Sequence, residues 1–574
     1  MQSISNWLTL LTVLIGCLSI DGEIFHVADF GAHPNDNIDD SAAIQSIINT
    51  AIDSEFGSTV IFGYGIYNFS SSIFISDAVN LTIQGQGIDQ TFLVGNLPIR
   101  MFWIESCEGF TLRSLSIDFD PLPFTAGYVV NVSDTYIDVD IQPPHRADVG
   151  RQIQYILRYD PREMRPAFGP NTYGIYQNPP NNANTSLVSA NVLRMPLTSP
   201  SKFVVSDAVV GRYDNMNDAI FAHNVTDFTV QSINLYTSWA MGFVTHRAKR
   251  LNVLDLHIVP REERWLSTTS DCMHLVSSEE FIRIIDSKCR GTGDDGLNVL
   301  ASYLLVTEIK NTTTMIITIL NSTSPYPEVG SLLEFSSQQQ PFTVHGSGVI
   351  TSVTNISPYT RLLTFAIAVN ASAGDWACHG DTPALTIQNF TVENNRARGV
   401  LLETRNIDIR QCVFNRTSGP AVLIQPSQYW HEGPAARNVT LIENRYINCN
   451  EGIGQEKGVI TILPVPTQLI PVIDDIRIES STFLFGNYSK GLIEINNVNN
   501  LFFNGNYIAV NVTTSIISLC NSRNITASNN TVFDDQGKID QYYTFDETYP
   551  CQMNLSSLID LPPSAFNSSF PPPI

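Results

Sequence analysis

The chain has 574 residues, 43% hydrophobic and only 15% charged, where an average globular protein has about 25% charged residues. Lys and Arg number 32 against 55 Asp and Glu, for a formal net charge of −23. A large core is within reach and disorder of the whole chain is excluded. A general nucleic-acid binder, which needs a basic face to release counterions, is excluded too, and polyanionic substrates are disfavoured unless basic residues gather locally.

Residues 1–19 read as a secretory signal peptide: Trp7 to Ile20 is an apolar run, and Cys17-Leu18-Ser19 offers small residues for cleavage. The run is too short to span a bilayer comfortably, and no later segment is long and apolar enough to do so. Asn-X-Ser/Thr occurs 18 times among 47 Asn, which points to an N-glycosylated protein, secreted or held in a lysosome-like compartment. Nine Cys become eight once Cys17 is removed, an even number that suits an oxidising compartment. There is no Cys-X-X-Cys and no His cluster with zinc spacing, so no structural metal is expected.

Asp39-Asp40-Ser41 leads into Ala42 to Ile52, where Ile44, Ile47, Ile48 and Ala51 have helical spacing. The acidic residues suit a helix N-terminus, and such a helix would cover the open end of a repeat fold. The repeat itself is an eight-residue phrase: apolar, polar, apolar, variable, small or polar, variable, variable, apolar. It stands as FTLRSLSI at Phe110, FTVQSINL at Phe228, LNVLDLHI at Leu251, IRIIDSKC at Ile282 and LTIQNFTV at Leu385. It returns as IDIRQCVF at Ile407, VTLIENRY at Val439 and IRIESSTF at Ile476, with looser copies at Leu501 and Ile525. Successive offsets of 23, 22, 25 and 24 residues, with longer ones of 31, 32 and 37, predict stacked coils of an all-β parallel β-helix. Two offsets, 118 and 103 residues, are too long for one coil. They predict two inserted β modules, since unstructured loops of that length are rare in compact proteins. The expected division is 20–120 for the cap and first coils, 121–215 for the first insert and 216–300 for coils bearing the carboxylates. The second insert then takes 301–383, the last coils 384–535 and a tail 536–574.

The segment Ser267 to Val299 concentrates the chemistry. Asp271 lies 23 residues before Asp294, with Asp295 adjacent. That is one coil, so the carboxylates should converge on one face at about one strand spacing, about 4.8 Å. Acidic groups that close raise at least one pKa, which is the condition for an acid/base pair in glycoside hydrolysis. Gly291, Gly293 and Gly296 permit tight turns around them. A calcium site or a solvated turn reads the same residues differently.

At Ser270-Asp271-Cys272-Met273-His274 and Gly293-Asp294-Asp295-Gly296-Leu297-Asn298-Val299 the chain resembles glycoside hydrolase family 110, and Gly399 to Glu403, Thr417 to Ala421 and Trp430 to Gly433 extend the likeness. The N-terminal stretch is similar to the cap of the pectin-lyase-like β-helix superfamily. The resemblance implies a right-handed parallel β-helix with an N-terminal capping helix and two inserted β-barrel-like modules. It implies an inverting, cofactor-free exo-α-1,3-galactosidase acting on a neutral galactose-terminated glycan. Asp271 would be the general acid, Asp294 and Asp295 would hold and deprotonate water, and His274, Asn298, Glu403, Trp430 and Glu432 would line the galactose pocket. One departure stands out: Leu300-Ala301 follow Asn298-Val299 where the family usually has His-Gly. A pectin-directed hydrolase or lyase on the same fold and a non-catalytic glycosylated surface protein remain the competing functions. The Gly-His-Gly and Arg-Ile-Lys tripeptides typical of polygalacturonases do not occur.

Overall fold

The computed structural model describes residues 22–545 and 553–554, apart from 55–56, 167–173, 177–182, 214–216, 321–324, 453–457, 487–488, 490, 510–514 and 535–536. The expected signal peptide and most of the expected tail lie outside the described residues. No helix among the described residues is long and apolar enough to cross a membrane.

The chain forms a parallel β-helix in which every copy of the repeat phrase lies on the next in register. The first apolar position stacks from Phe228 through Leu251, Ile282, Leu385, Ile407, Val439, Ile476 and Leu501 to Ile525. Leu112 pairs with Val230, which joins the Phe110 copy to the same ladder. Offsets from 22 to 118 residues therefore all end at the same rung. Inside, Val230, Val253, Ile284, Ile387, Ile409, Leu441 and Ile478 form one fully buried column. Each such side chain contributes about 1.5–3 kcal/mol on burial, so the core is a stack of equivalent small contributions rather than a single centre.

The fifth position of the phrase has a physical reason for being small or polar. Ser114, Ser232, Asp255, Asp286, Asn389, Gln411, Glu443, Ser480, Gly505 and Asn529 all have φ between 50° and 65°. This left-handed residue turns the chain from the first sheet into the second, and Asn, Asp and Gly tolerate it best. A third sheet completes the coil. It contains Ile73–Ser76, Phe102–Glu105, Met273–Val276 and Val400–Glu403, together with the first residues of Ile220–Leu235, Phe243–Ile258 and Leu297–Asn311.

The helix Ser41–Ile52 buries Ile44, Ile47, Ile48 and Ala51 against the first coil. The acidic pair divides its work. Asp39 accepts from the amide of Ser41 at 3.2 Å, whereas Asp40 accepts from the amides of His33 at 3.1 Å and Asn68 at 2.9 Å, fastening the helix start to the neighbouring strand.

Both long offsets hold antiparallel strands. In the first, Ile153–Asp160, Ala208–Tyr213, Phe124–Val132, Tyr136–Ile141, Val192–Pro196 and Ser186–Ser189 pair in that order. In the second, Leu297–Asn311, Thr314–Ile319, Thr360–Phe365, Gln340–Ser357, Leu332–Ser337 and Trp376–His379 pair successively, and the last returns to the first. This closed ring has its own core around Leu304, Ile317, Phe335 and Leu363, and closure removes the exposed edges that an inserted sheet would otherwise present. Cysteine use is mixed: Cys272 and Cys289 form a disulfide and Cys520 is also bridged, while Cys107, Cys378, Cys412 and Cys449 are buried thiols.

Candidate active site on the third sheet

Asp271 ends the turn that feeds the strand Met273–Val276, and Asp295 ends the turn that feeds Leu297 one coil later. Met273 pairs with Leu297 and the Cys272 amide donates to the Asp295 carbonyl at 2.8 Å, so Asp271 stands directly over Asp295. The coil offset is thus 24 here rather than 23, and Asp294 sits one residue to the side. Oxygens of the three carboxylates lie within 4.8 Å of one another. Backbone packing keeps the two turns this close: a Cβ on Gly293 would lie 2.3 Å from the Thr269 carbonyl oxygen, and one on Gly296 would lie 2.5 Å from that of Gly399. Gly291 has φ +62°. The Cys272–Cys289 bridge ties the Asp271 turn to the strand that leads into the Asp294 turn.

Each carboxylate has its own basic partner. Asp271 Oδ2 lies 2.8 Å from His274 Nδ1, Asp294 Oδ2 lies 2.7 Å from Arg396 Nη1, and Asp295 Oδ2 lies 2.9 Å from Arg398 Nη2. The Arg398 amide donates to Asp295 Oδ1 at 2.9 Å and the Asp295 amide to Asp271 Oδ1 at 3.3 Å. Burial nevertheless pushes the Asp295 carboxyl well above the usual carboxylate range, with Asp294 and Asp271 adding to the rise and Arg398 opposing it. Burial lowers His274, but its hydrogen bond and charge interaction with Asp271 outweigh this and raise it overall. Only this trio, among the described residues, has the spacing to hold a metal ion. A divalent ion there would compete with the two arginines already paired with Asp294 and Asp295.

Asn298 pairs with His274 in the ladder, and Glu403 pairs with Leu300. Asn298 Oδ1 and Glu403 Oε2 are buried and have no hydrogen-bond partner. Burial raises the Glu403 carboxyl well above normal, and raises Glu432 to about 7 against the pull of His274 and Arg398. Glu432 lies on the short strand Glu432–Gly433, antiparallel to Ala301 and Ser302. Leu300, the departure from the family pattern, is buried in the row Val276–Leu300–Glu403 and lends that row an apolar wall. Trp430 stands apart: it is 63% exposed, its ring meets Tyr429 edge-on, and no described bond or ring contact ties it to the carboxylates.

Arg396 and Arg398 were not anticipated, although Ile282 to Leu385 spans 103 residues and the same step carries Asp295 to Arg398. The first insert supplies two further groups. The Arg212 Nη1 donates to the Thr269 carbonyl at 3.0 Å, and the Tyr155 ring lies 5.3 Å from the guanidinium carbons of both Arg212 and Arg396. Nothing in their local sequence marks them, because they reach the site from outside the repeat.

Residues 24–105 match the family model "Rhamnogalacturonase A/epimerase, pectate lyase-like". The chain is 24% identical to alpha-1,3-galactosidase B of Bacteroides thetaiotaomicron, over 87% of this chain and 88% of that protein. It is also 24% identical to alpha-1,3-galactosidase A of Shewanella woodyi, over 81% of this chain and 82% of that protein. The catalytic unit of a GH87 alpha-1,3-glucanase from Streptomyces thermodiastaticus aligns at TM-score 0.44 and 14% identity, covering 88% of this chain and 64% of that one. The likeness to these α-1,3-galactosidases therefore extends over most of the chain, as the motifs implied.

Proposed function

We propose that the protein is an inverting exo-glycosidase of the secretory route, secreted or lysosome-like, that hydrolyses terminal α-1,3-linked galactose from neutral glycans. The observation that carries this reading is the placement of Asp271 over Asp295, with Asp294 beside them, on two successive coils. Asp271 is the general acid. It shares a proton with His274 across 2.8 Å and passes it to the leaving glycosidic oxygen as the bond to the anomeric carbon breaks. Asp294 and Asp295 hold the attacking water, and the proton released from it as it adds to the anomeric carbon goes to that pair. Arg396 and Arg398 pair with the two carboxylates, and the Arg398 charge opposes the burial that raises Asp295.

The galactose lies toward the later coils. Asn298 Oδ1 and Glu403 Oε2, buried and unpartnered, accept from its hydroxyls, and burying such acceptors unpaired costs about 1–3 kcal/mol each. Glu432 closes the end of the pocket from the short strand opposite Ser302, which favours a chain terminus over an internal residue. Trp430, exposed beside Tyr429, offers a ring face at the rim. A pectin-type substrate is served poorly, because the two arginines nearest the carboxylates are already paired with Asp294 and Asp295.

Purified protein incubated with Galα1-3Gal, Galα1-4Gal and polygalacturonate tests the reading, with proton NMR following the first-formed anomer. β-Galactose released only from the α-1,3 compound, and lost in Asp271→Asn, is the expected result. Absence of galactose release by folded protein would refute it.

A further inference from the structure

Beyond the carboxylates, toward the N-terminal coils, the third sheet carries an aromatic row that the chemistry does not use. Phe74 pairs with Trp103, Trp103 with Phe221, Phe221 with Val244 and Val244 with His274. Each step is one strand spacing of about 4.8 Å, so Phe221 stands two steps, about 10 Å, from His274. The rings of Phe74 and Trp103 lie 6.0 Å apart and those of Trp103 and Phe221 6.1 Å apart, both edge-to-face. Phe74 is 44% and Trp103 39% exposed. Contiguous exposed rings on one face mark a binding surface more often than packing.

A polar rail runs beside the row. The Arg100 guanidinium carbon lies 4.9 Å from the Trp103 ring centre and 4.4 Å from that of Phe221. Arg100 Nη2 also lies 3.6 Å from Asp218 Oδ2. Asp218 precedes Ile220 by two residues as Asp271 precedes Met273, and both strands pair with the one that begins at Phe243. Arg100 and Asp218 therefore line the same edge of the sheet as Asp271. Aromatic faces flanked by an arginine and a carboxylate, at one pyranose-sized step per coil, suit successive neutral sugar rings. The galactose pocket occupies the opposite side of Asp271, so the row falls where the leaving saccharide must lie.

We propose that Trp103, Phe221, Arg100 and Asp218 form a binding site for the sugars on the leaving-group side, and that the substrate is an oligosaccharide extending at least two residues beyond the terminal galactose. The inference rests on the galactosidase reading for its orientation but can be tested apart from it. Initial rates on Galα1-3Gal and on Galα1-3Galβ1-4GlcNAcβ1-3Gal give the ratio of kcat/KM values, long over short. Binding energy from the remote sugars should make this ratio about tenfold or more, and Trp103→Ala and Phe221→Ala should bring it close to one. Intrinsic tryptophan fluorescence with the trisaccharide Galβ1-4GlcNAcβ1-3Gal, which lacks the terminal α-galactose, supplies the second arm. Saturable quenching in the wild type, absent in Trp103→Ala of unchanged circular dichroism, supports the site even if no galactoside is cleaved, in which case only the galactosidase reading fails. A wild-type ratio near one, or trisaccharide binding that survives both substitutions, overturns the inference.

Discussion

Glu432→Gln should remove a pH-dependent stability penalty. Glu432 rises from 4.5 to about 7 because burial disfavours its charged form. Below about pH 4.5 the carboxyl is protonated in folded and unfolded chains alike, and there is no penalty. Between pH 4.5 and about 7 the unfolded chain ionises first, so the folded state loses ground, and above about 7 the loss is complete. At about 1.36 kcal/mol per unit the loss approaches about 3 kcal/mol; the partial solvent exposure of Glu432 lowers it toward about 2 kcal/mol. Asp295 and Glu403 are shifted the same way by the same cause, so the informative quantity is the difference between wild type and variant. Thermal melts of both proteins from pH 4 to pH 8 measure it. The variant should gain on the wild type progressively above pH 4.5 and level off near pH 7.5. A difference that stays flat across this range would show that Glu432 is not held in a desolvated, anionic neighbourhood.

Other perturbations address other parts of the molecule. Arg398→Ala leaves Asp295 buried without its cation, and an uncompensated buried charge costs about 3–5 kcal/mol. A lower melting temperature and a loss of galactose release that is partly relieved by raising the pH are expected, since Asp295 would then need a higher pH to ionise. Cys272→Ser opens a bridge that spans a sequence separation of 17, a loop worth about 3 kcal/mol, and reducing agent should shift the wild type more than the variant, which keeps the Cys520 bridge, in differential scanning calorimetry. Gln411→Val puts a β-branched side chain at φ 57° and should cost about 1–2 kcal/mol in chemical denaturation, whereas Gln411→Gly should be nearly neutral.

The solenoid was legible because its determinant is local and repeated. Each phrase carries its own inward apolar residues, and copies as far apart as Ile282 and Leu385 declare the same rung despite an offset of 103 residues. The carboxylate trio was legible for the same reason, since a coil length separates Asp271 from the acidic pair. What sequence reading missed comes from outside the repeat or from its exact phase. Pairing of Met273 with Leu297 puts Asp295 rather than Asp294 under Asp271, a distinction of one residue that periodicity alone cannot make. Tyr155 and Arg212 reach the site from an inserted sheet whose placement no local pattern encodes. Trp430 was expected in the pocket from its motif, yet it stands exposed on a loop, where local sequence does not dictate direction.

The left-handed corner residues have one more consequence. Among the candidate glycosylation asparagines, Asn80, Asn389, Asn438, Asn524 and Asn529 all have φ between 51° and 57° and are exposed. They sit where the chain enters or leaves the first sheet, along the edges of the prism. Attached saccharides would therefore stand out from those edges like a fringe. Glycopeptide mapping that found these corners occupied would describe a coat that follows the edges of the prism and leaves its strand faces, exposed Trp103 among them, open to substrate.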